Sequence, residues 1–239
     1  MKDYYIKENY ITNPLEKYDQ SSKYWTKKRI YASNFFQYSV YEKMANLIDY
    51  SKKSKLIDIG CGTGLKLKLL KDLKNNLDIY GIDTQESIDV CKKELNFGHF
   101  IVDNISQFDK ALYEDYENKF DYIICSDVIE HLENPDNLLK MIKFLSHKNT
   151  QIIISTPERI KMRGIKNNKP LNSAHVREWS FEEIKQYLEN SGFQIVDFDF
   201  MLPVKVALNK IFFDEIVRRL FKLNNIYYNQ VITLKITNE

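Results

Sequence analysis

The stretch CSDVIEHLENPDN, Cys125 to Asn137, places Asp127, Glu130 and His131 directly behind an apolar run, FDYIIC. If a helix starts there, positions i, i+3 and i+4 share one face, and two carboxylates and an imidazole converge. A second imidazole, His175, ends a long polar segment in NSAHVREWSFEEI. Carboxylates and imidazoles together suit a divalent cation that keeps positions open for an oxygen-bearing ligand. Mg²⁺, Mn²⁺, Fe²⁺ or another divalent ion fits this donor set better than a structural zinc, which favours cysteine. Asp127, Glu130, His131 and His175 are the candidate metal ligands. Without an ion, His131 or His175 is the candidate general base, because imidazole is readily tuned to titrate near neutrality. Glu130 then assists the pair or caps the helix.

A second constellation lies upstream. LIDIGCGTGLKLKLL reads as a buried strand, a glycine turn and a helix start. A dinucleotide fingerprint, G-x-G-x-x-G, would put its third glycine at position 65, which is Leu. The glycines are Gly60, Gly62 and Gly64, and Asp58 just before them would repel a pyrophosphate. A ligand carrying an amino group suits the turn better. Asp83 ends the next strand, where a carboxylate accepts from vicinal ribose hydroxyls, and Asp103 ends the third, within reach of an exocyclic amine. Three acids at successive strand ends mark the edge where open α/β sheets bind ligands.

The elements that must position these residues alternate. Strands are expected at 55–59, 78–82, 99–102, 120–125 and 151–155, with helices near 64–74, 86–95 and 135–146. This implies parallel βαβ units with helices on both faces. Residues 35–49 read as an amphipathic helix within a Tyr-rich N-terminal cap, 1–50, ahead of a main domain, 51–239. Residues 158–175 read as a loop, and 158–180 as a mobile lid over the site. Ser180 and Glu183 form a capping box that opens a helix to about Asn190. FQIVDFDF and NQVITLKIT read as late strands, with an amphipathic helix over 204–223 packed on the sheet or capping the site.

Composition is that of a soluble globular chain, with 239 residues and 28% charged. Net charge +2 with dispersed Lys and Arg gives no dedicated nucleic-acid surface. No apolar run is long enough to span a membrane, and the N-terminus lacks a signal-peptide core. Three scattered cysteines, Cys61, Cys91 and Cys125, argue for a reducing cytoplasm and against a disulfide framework.

Asp58-Ile59-Gly60-Cys61-Gly62-Thr63-Gly64, Asp83, Asp103 and FDYIICSDVIEHL together resemble the class I S-adenosylmethionine-dependent methyltransferases. The resemblance implies a Rossmann-like, seven-stranded, mostly parallel sheet whose last strand is antiparallel. It implies that Asp58, Gly60, Cys61, Gly62 and Gly64 surround the methionine part of S-adenosylmethionine. Asp83 would hold the ribose, Asp103 and Asn104 would lie by the adenine, and Ser126 would complete the set. SDVIEHLENPD with SAHVREWSFEEI narrows the likeness to a subgroup. It contains ubiquinone-biosynthesis O-methyltransferases, small-RNA 3′-end 2′-O-methyltransferases and enzymes of bacterial surface-polysaccharide synthesis. In its metal-using members an acid, a Glu-His pair and a downstream His hold the ion. The implied reaction is methylation of a hydroxyl on a small-molecule acceptor, a sugar first, with a quinone precursor or an RNA ribose as alternatives. A non-catalytic partner subunit with this fold is a further alternative. Tyr24, Trp25, Arg29 and Trp179 are the candidate acceptor contacts; packing of the cap is the other role open to the first three.

Overall fold

Runs of β-branched residues build the centre of the molecule. The computed structural model describes residues 4–14, 24–73, 76–221 and 225–237. The remaining positions, which include parts of the expected N-terminal cap and the ends of the expected 64–74 and 204–223 helices, lie outside the described residues. Seven strands form one sheet: β1 (Ser54–Ile59), β2 (Leu77–Asp83), β3 (His99–Val102), β4 (Phe120–Ser126), β5 (Ser146–Pro157), β6 (Phe193–Met201) and β7 (Asn229–Ile236). Their order is β3-β2-β1-β4-β5-β7-β6. β7 runs antiparallel to both β5 and β6, and the other pairs are parallel.

Side chains alternate across the pleat, so each central strand feeds two cores. Ile57, Ile59, Ile123 and Ile154 face one side, where α5 (Pro135–Leu145) and α7 (Phe181–Asn190) pack. Leu56, Ile79, Ile124 and Ile153 face the other, against α2 (Tyr38–Leu47), α3 (Leu67–Leu73) and α4 (Gln85–Glu94). α5 shows why such a helix forms. Asn134 caps it, Pro135 occupies its first turn, and Leu138, Leu139, Met141, Ile142 and Leu145 are buried on its inner face. Each such side chain contributes roughly 1.5–3 kcal/mol of burial, far more than the cap. The capping box of Ser180 and Glu183 is present at α7.

The chain runs outward through β2 and β3, then returns to place β4 on the other side of β1. That reversal opens a crevice at the carboxyl ends of β1 and β4, the place such sheets bind ligands. A short helix, α1 (Lys27–Ser33), lies over it, with Ser33 Oγ 2.7 Å from Thr63 Oγ1 and Trp25 Nε1 donating to Ser87 Oγ at 3.1 Å.

Two expectations change here. A helix, α6 (Arg159–Arg163), occupies the start of the expected loop, and residues 175–180 are buried rather than forming part of an open lid. Glu130's carbonyl accepts from Val176 and Arg177 N, and Arg177 donates to the carbonyls of Leu132 and Glu133, so this segment is clamped. The late helix, α8 (Lys210–Phe221), begins six residues after the expected start at 204. Val204 instead bridges to Phe36, and Asn209 Oδ1 accepts from Phe212 N as the new cap. Val206, Leu208, Phe213 and Val217 are exposed, whereas Val204 is buried and Ile211 and Phe212 are half-buried, so only part of the segment's apolar surface is covered.

Candidate active site

The glycine turn is built by three glycines with different tasks, all at positive φ. A Cβ on Gly60 would lie 2.3 Å from Val128 Cγ2. One on Gly64 would lie 2.9 Å from Leu95 Cδ1 and 3.0 Å from Cys91 Sγ. Gly62 meets nothing nearer than Trp25, at 3.9 Å, and faces the cleft. Gly60 and Gly64 therefore permit close packing, and Gly62 leaves space for a ligand.

Asp83 secures the turn as well as lining the cleft. Its Oδ2 accepts from Gly62 N at 2.8 Å and its Oδ1 from Thr84 N at 2.7 Å. Asp103 accepts from Asn104 N and from the Tyr113 hydroxyl, and both Asp103 and Asn104 reach the same cleft of about 1400 Å³. Cys61 and Ser126 line it too. Asp58 and Gly64 do not: they stand behind the turn. Asp58 is fully buried, takes a 2.7 Å hydrogen bond from the Tyr41 hydroxyl on Oδ2, and has no partner on Oδ1. Burial pushes its carboxyl up to about 7, against the pull of Tyr41 and Lys66.

The acid–imidazole cluster forms by a different route from helical spacing. Asp127 has φ 53°, a left-handed conformation, and only Ile129–His131 makes a 3₁₀ turn. Asp127 is thereby turned aside: its Oδ2 accepts from Gln37 Nε2 at 3.0 Å and its Oδ1 from Ser155 Oγ at 2.6 Å. Glu130, His131 and His175 do meet, with one ligand atom of each within 4.8 Å of the others.

Hydrogen bonds orient all three. His131 Nδ1 lies 2.7 Å from the Ala174 carbonyl, which only an N–H can satisfy, so Nδ1 carries a proton. His175 Nδ1 lies 2.8 Å from Glu178 Oε1, which leaves its Nε2. Glu178 is fully buried and is gripped by Arg163 through both carboxylate oxygens at 3.1 and 3.2 Å. Burial alone would raise its carboxyl; His175 and Arg163 bring it below the ordinary range. Glu130 Oε2 accepts from Thr156 Oγ1 at 3.0 Å, and its Oε1 is buried without a partner. Burial, then the nearby Asp127 charge, pushes the Glu130 carboxyl well up. Burial and the neighbouring His175 lower His131 to about 4, so it is neutral near pH 7.

A family model described as a methyltransferase domain matches residues 33–197. The chain belongs to the class I S-adenosylmethionine-dependent methyltransferases. A ubiquinone biosynthesis O-methyltransferase of Pasteurella multocida is 25% identical over 167 residues, covering 64% of this methyltransferase and 67% of that protein. The mitochondrial ubiquinone biosynthesis O-methyltransferase of Saccharomyces cerevisiae is 30% identical over 111 residues, 46% of this chain and 35% of that one. The chain thus matches about a third of the yeast relative's length and about two thirds of the bacterial one's. Among solved structures, a SAM-dependent methyltransferase from Archaeoglobus fulgidus superposes with a TM-score of 0.59 at 20% identity, covering 88% of this chain and all of that one (100%). The [4+2]-cyclase SpnF superposes with a TM-score of 0.64 at 14% identity, covering 96% and 87%. At these identities the likeness concerns the fold, which hosts more than one chemistry.

Of the methyltransferase's expected acceptor contacts, Tyr24, Trp25 and Arg29 line the cleft. Trp179 does not. It is fully buried, stacks on Tyr187 at 6.1 Å between ring centroids, and donates its indole N–H to the Tyr4 carbonyl. A large apolar ring with one satisfied donor is core material. Reading the sequence alone missed Gln37, Glu178, Thr63 and Lys66. Gln37 and Glu178 are isolated polar residues whose roles arise only when distant elements meet. Lys66 and Thr63 lie inside the glycine motif, where only the fold shows which side chains reach the cleft.

Proposed function

We propose that this methyltransferase methylates a hydroxyl of a small polar acceptor, a sugar or a precursor of a bacterial surface polysaccharide, with help from a divalent cation. The observation that carries the metal part is the unpartnered, buried Oε1 of Glu130 in a group where one ligand atom each of Glu130, His131 and His175 lies within 4.8 Å of the others. A carboxylate and two imidazoles brought together in this way are a donor set that fits a divalent cation. Glu130, His131 and His175 would hold it, and Mg²⁺ or Mn²⁺ suits the donors. Such an ion supplies Lewis acidity that lowers a bound hydroxyl's pKa. S-adenosylmethionine supplies an already activated methyl group, so the chain's task is mostly positioning.

Each residue's share follows from its contacts. Ala174 and Glu178 fix the imidazole tautomers, and Arg163 holds Glu178 in place. Asp127, tied to Gln37 and Ser155, anchors the crossing between the cofactor side and the acceptor side. Arg29, Ala32 and Ser33 of α1 and the Tyr24–Trp25 edge line one side of the cleft. His131, lowered to about 4, is a weak proton acceptor near neutrality and a ready neutral ligand, which favours the metal reading over a plain histidine base. Three buried free cysteines suit a reducing compartment, the cytoplasm. No helix among the described residues is long and apolar enough to cross a membrane.

A second acceptor class has its own support. The relatives are named for ubiquinone biosynthesis, and Val206, Leu208, Phe213 and Val217 offer exposed apolar surface that suits a greasy quinone precursor. Turnover assays with S-adenosylmethionine on nucleotide-linked sugars and on a prenylated catechol, each with and without EDTA, separate the readings. Methylation of a sugar that fails in EDTA and returns with Mg²⁺ or Mn²⁺ supports the proposal. Catechol turnover alone supports the second reading, and full activity in EDTA removes the metal.

A further inference from the structure

We propose that Asn13 is a positioning residue of the acceptor side: its side chain clamps the turn Asn172–His175 and so brings the His131 and His175 rings together. The inference rests on the reading that makes these two histidines working groups of the site. Asn13 stands well before residues 33–197, the stretch that the methyltransferase family model matches, so the family pattern does not contain this contact. Residues 164–180 form no helix or strand, and their backbone groups must find partners outside a regular ladder. N-terminal residues supply them. Lys7 Nζ donates to the Asn167 carbonyl at 2.7 Å, Ile11 N to that of Asn168 at 2.7 Å, and Asn13 N to that of Val176 at 3.0 Å. In return Glu178 N donates to the Tyr10 hydroxyl at 2.9 Å, and the Trp179 indole to the Tyr4 carbonyl at 3.1 Å. Residues 4–13 thus form a strap along the segment that carries His175.

Asn13 is the part of the strap that reaches the site's own turn. Its Nδ2 donates to the carbonyls of Asn172 and His175, both at 3.0 Å. An amide nitrogen has two N–H donors, and both are used here. His175 N closes the turn onto the Asn172 carbonyl at 3.1 Å. Ala174 lies inside that turn, and its carbonyl is the one that orients His131. One amide therefore holds the backbone of His175 and the peptide that fixes the His131 ring. Thr12 and Pro14 are exposed while Asn13 is half-buried, so Asn13 is the side chain of these three that is turned inward. Pro14 disfavours helical backbone at Asn13 and keeps its approach extended.

The competing role is general stability, and the histidine rings distinguish the two. The chain has four histidines, His99, His131, His147 and His175. In the full chain labelled with ¹⁵N-histidine, ring nitrogen shifts report which nitrogen carries the proton. His131 and His175 of the wild type should read as Nδ1–H. Asn13→Ala and Asn13→Asp should turn both into tautomer-averaged signals and leave His99 and His147 unchanged. Calorimetry should show Mn²⁺ affinity down by roughly ten- to a hundredfold, the usual loss when the support behind a ligand is removed. S-adenosylhomocysteine affinity should be unchanged. Nδ1–H signals that persist in both variants overturn the proposal. So do shifts that spread to His99 and His147, the signature of a loosened fold. A wild type that binds no Mn²⁺ removes the metal reading, and the histidine spectra then uphold or overturn the role of Asn13 by themselves.

Discussion

Gly60→Ala tests how the cofactor turn is joined to the acceptor side. Gly60 has φ +78°, and a Cβ there would sit 2.3 Å from Val128 Cγ2, 3.4 Å from Cγ1 and 3.5 Å from Cβ. Holding an L-residue in the left-handed region costs about 1–2 kcal/mol. The steric conflict adds about 1–3 kcal/mol, the usual cost of overpacking. The single variant should therefore lose about 2–5 kcal/mol. Val128→Ala removes both γ carbons and leaves only the ordinary 3.5 Å contact. In that background Gly60→Ala should cost only the backbone part, about 1–2 kcal/mol. Urea unfolding of the wild type, both single variants and the double variant gives the coupling directly, expected near 1–3 kcal/mol and relieving. Additive costs, with coupling below about 0.5 kcal/mol, would refute the claim that Val128 is what excludes a side chain at position 60.

Two further outcomes follow from buried groups. Trp179→Ala should cost about 3–5 kcal/mol in chemical unfolding, yet leave S-adenosylhomocysteine affinity unchanged at a temperature where the variant is folded; a large loss of affinity without loss of stability would return Trp179 to the site. Asp58, held up at about 7, keeps its proton in the folded chain while the unfolded chain releases it near pH 4, so its contribution to stability falls as pH rises from about 4 to 7. The pKa change is worth on the order of 4 kcal/mol. Asp58→Asn should therefore gain on the wild type across that range and hold a constant lead above it; a difference in unfolding free energy that is flat from pH 4 to 8 would contradict this.

Much of the fold is written in local pattern. The strand runs and the 180–183 capping box carry their own signals, because β-branched alternation and side-chain caps act over a few residues. The glycine turn was legible for the same reason, though not the division of labour within it. That Gly60 serves Val128 and Gly64 serves Cys91 depends on elements far apart in sequence. Glu130, His131 and His175 were legible as a chemical set. Helical spacing puts Asp127 on the same face, but its left-handed backbone sends the carboxylate to Gln37 and Ser155 instead. Trp179 and the 175–180 segment looked like a lid because they follow a polar run. The clamp by Arg177 and the Glu130 carbonyl, which fixes them, spans more than forty residues of sequence. Apolar periodicity over 204–223 carries no sign of Asn209, whose side chain sets the later start of α8.

The central claim is that Glu130, His131 and His175 hold a divalent cation. Titration of Mn²⁺ into the full chain saturated with S-adenosylhomocysteine, followed by electron paramagnetic resonance and calorimetry, tests it most directly. One ion per chain should bind, with nitrogen hyperfine coupling from imidazole, and His175→Ala should lose the site while retaining S-adenosylhomocysteine. No saturable binding in the wild type, or binding that survives in both His131→Ala and His175→Ala, would contradict the account.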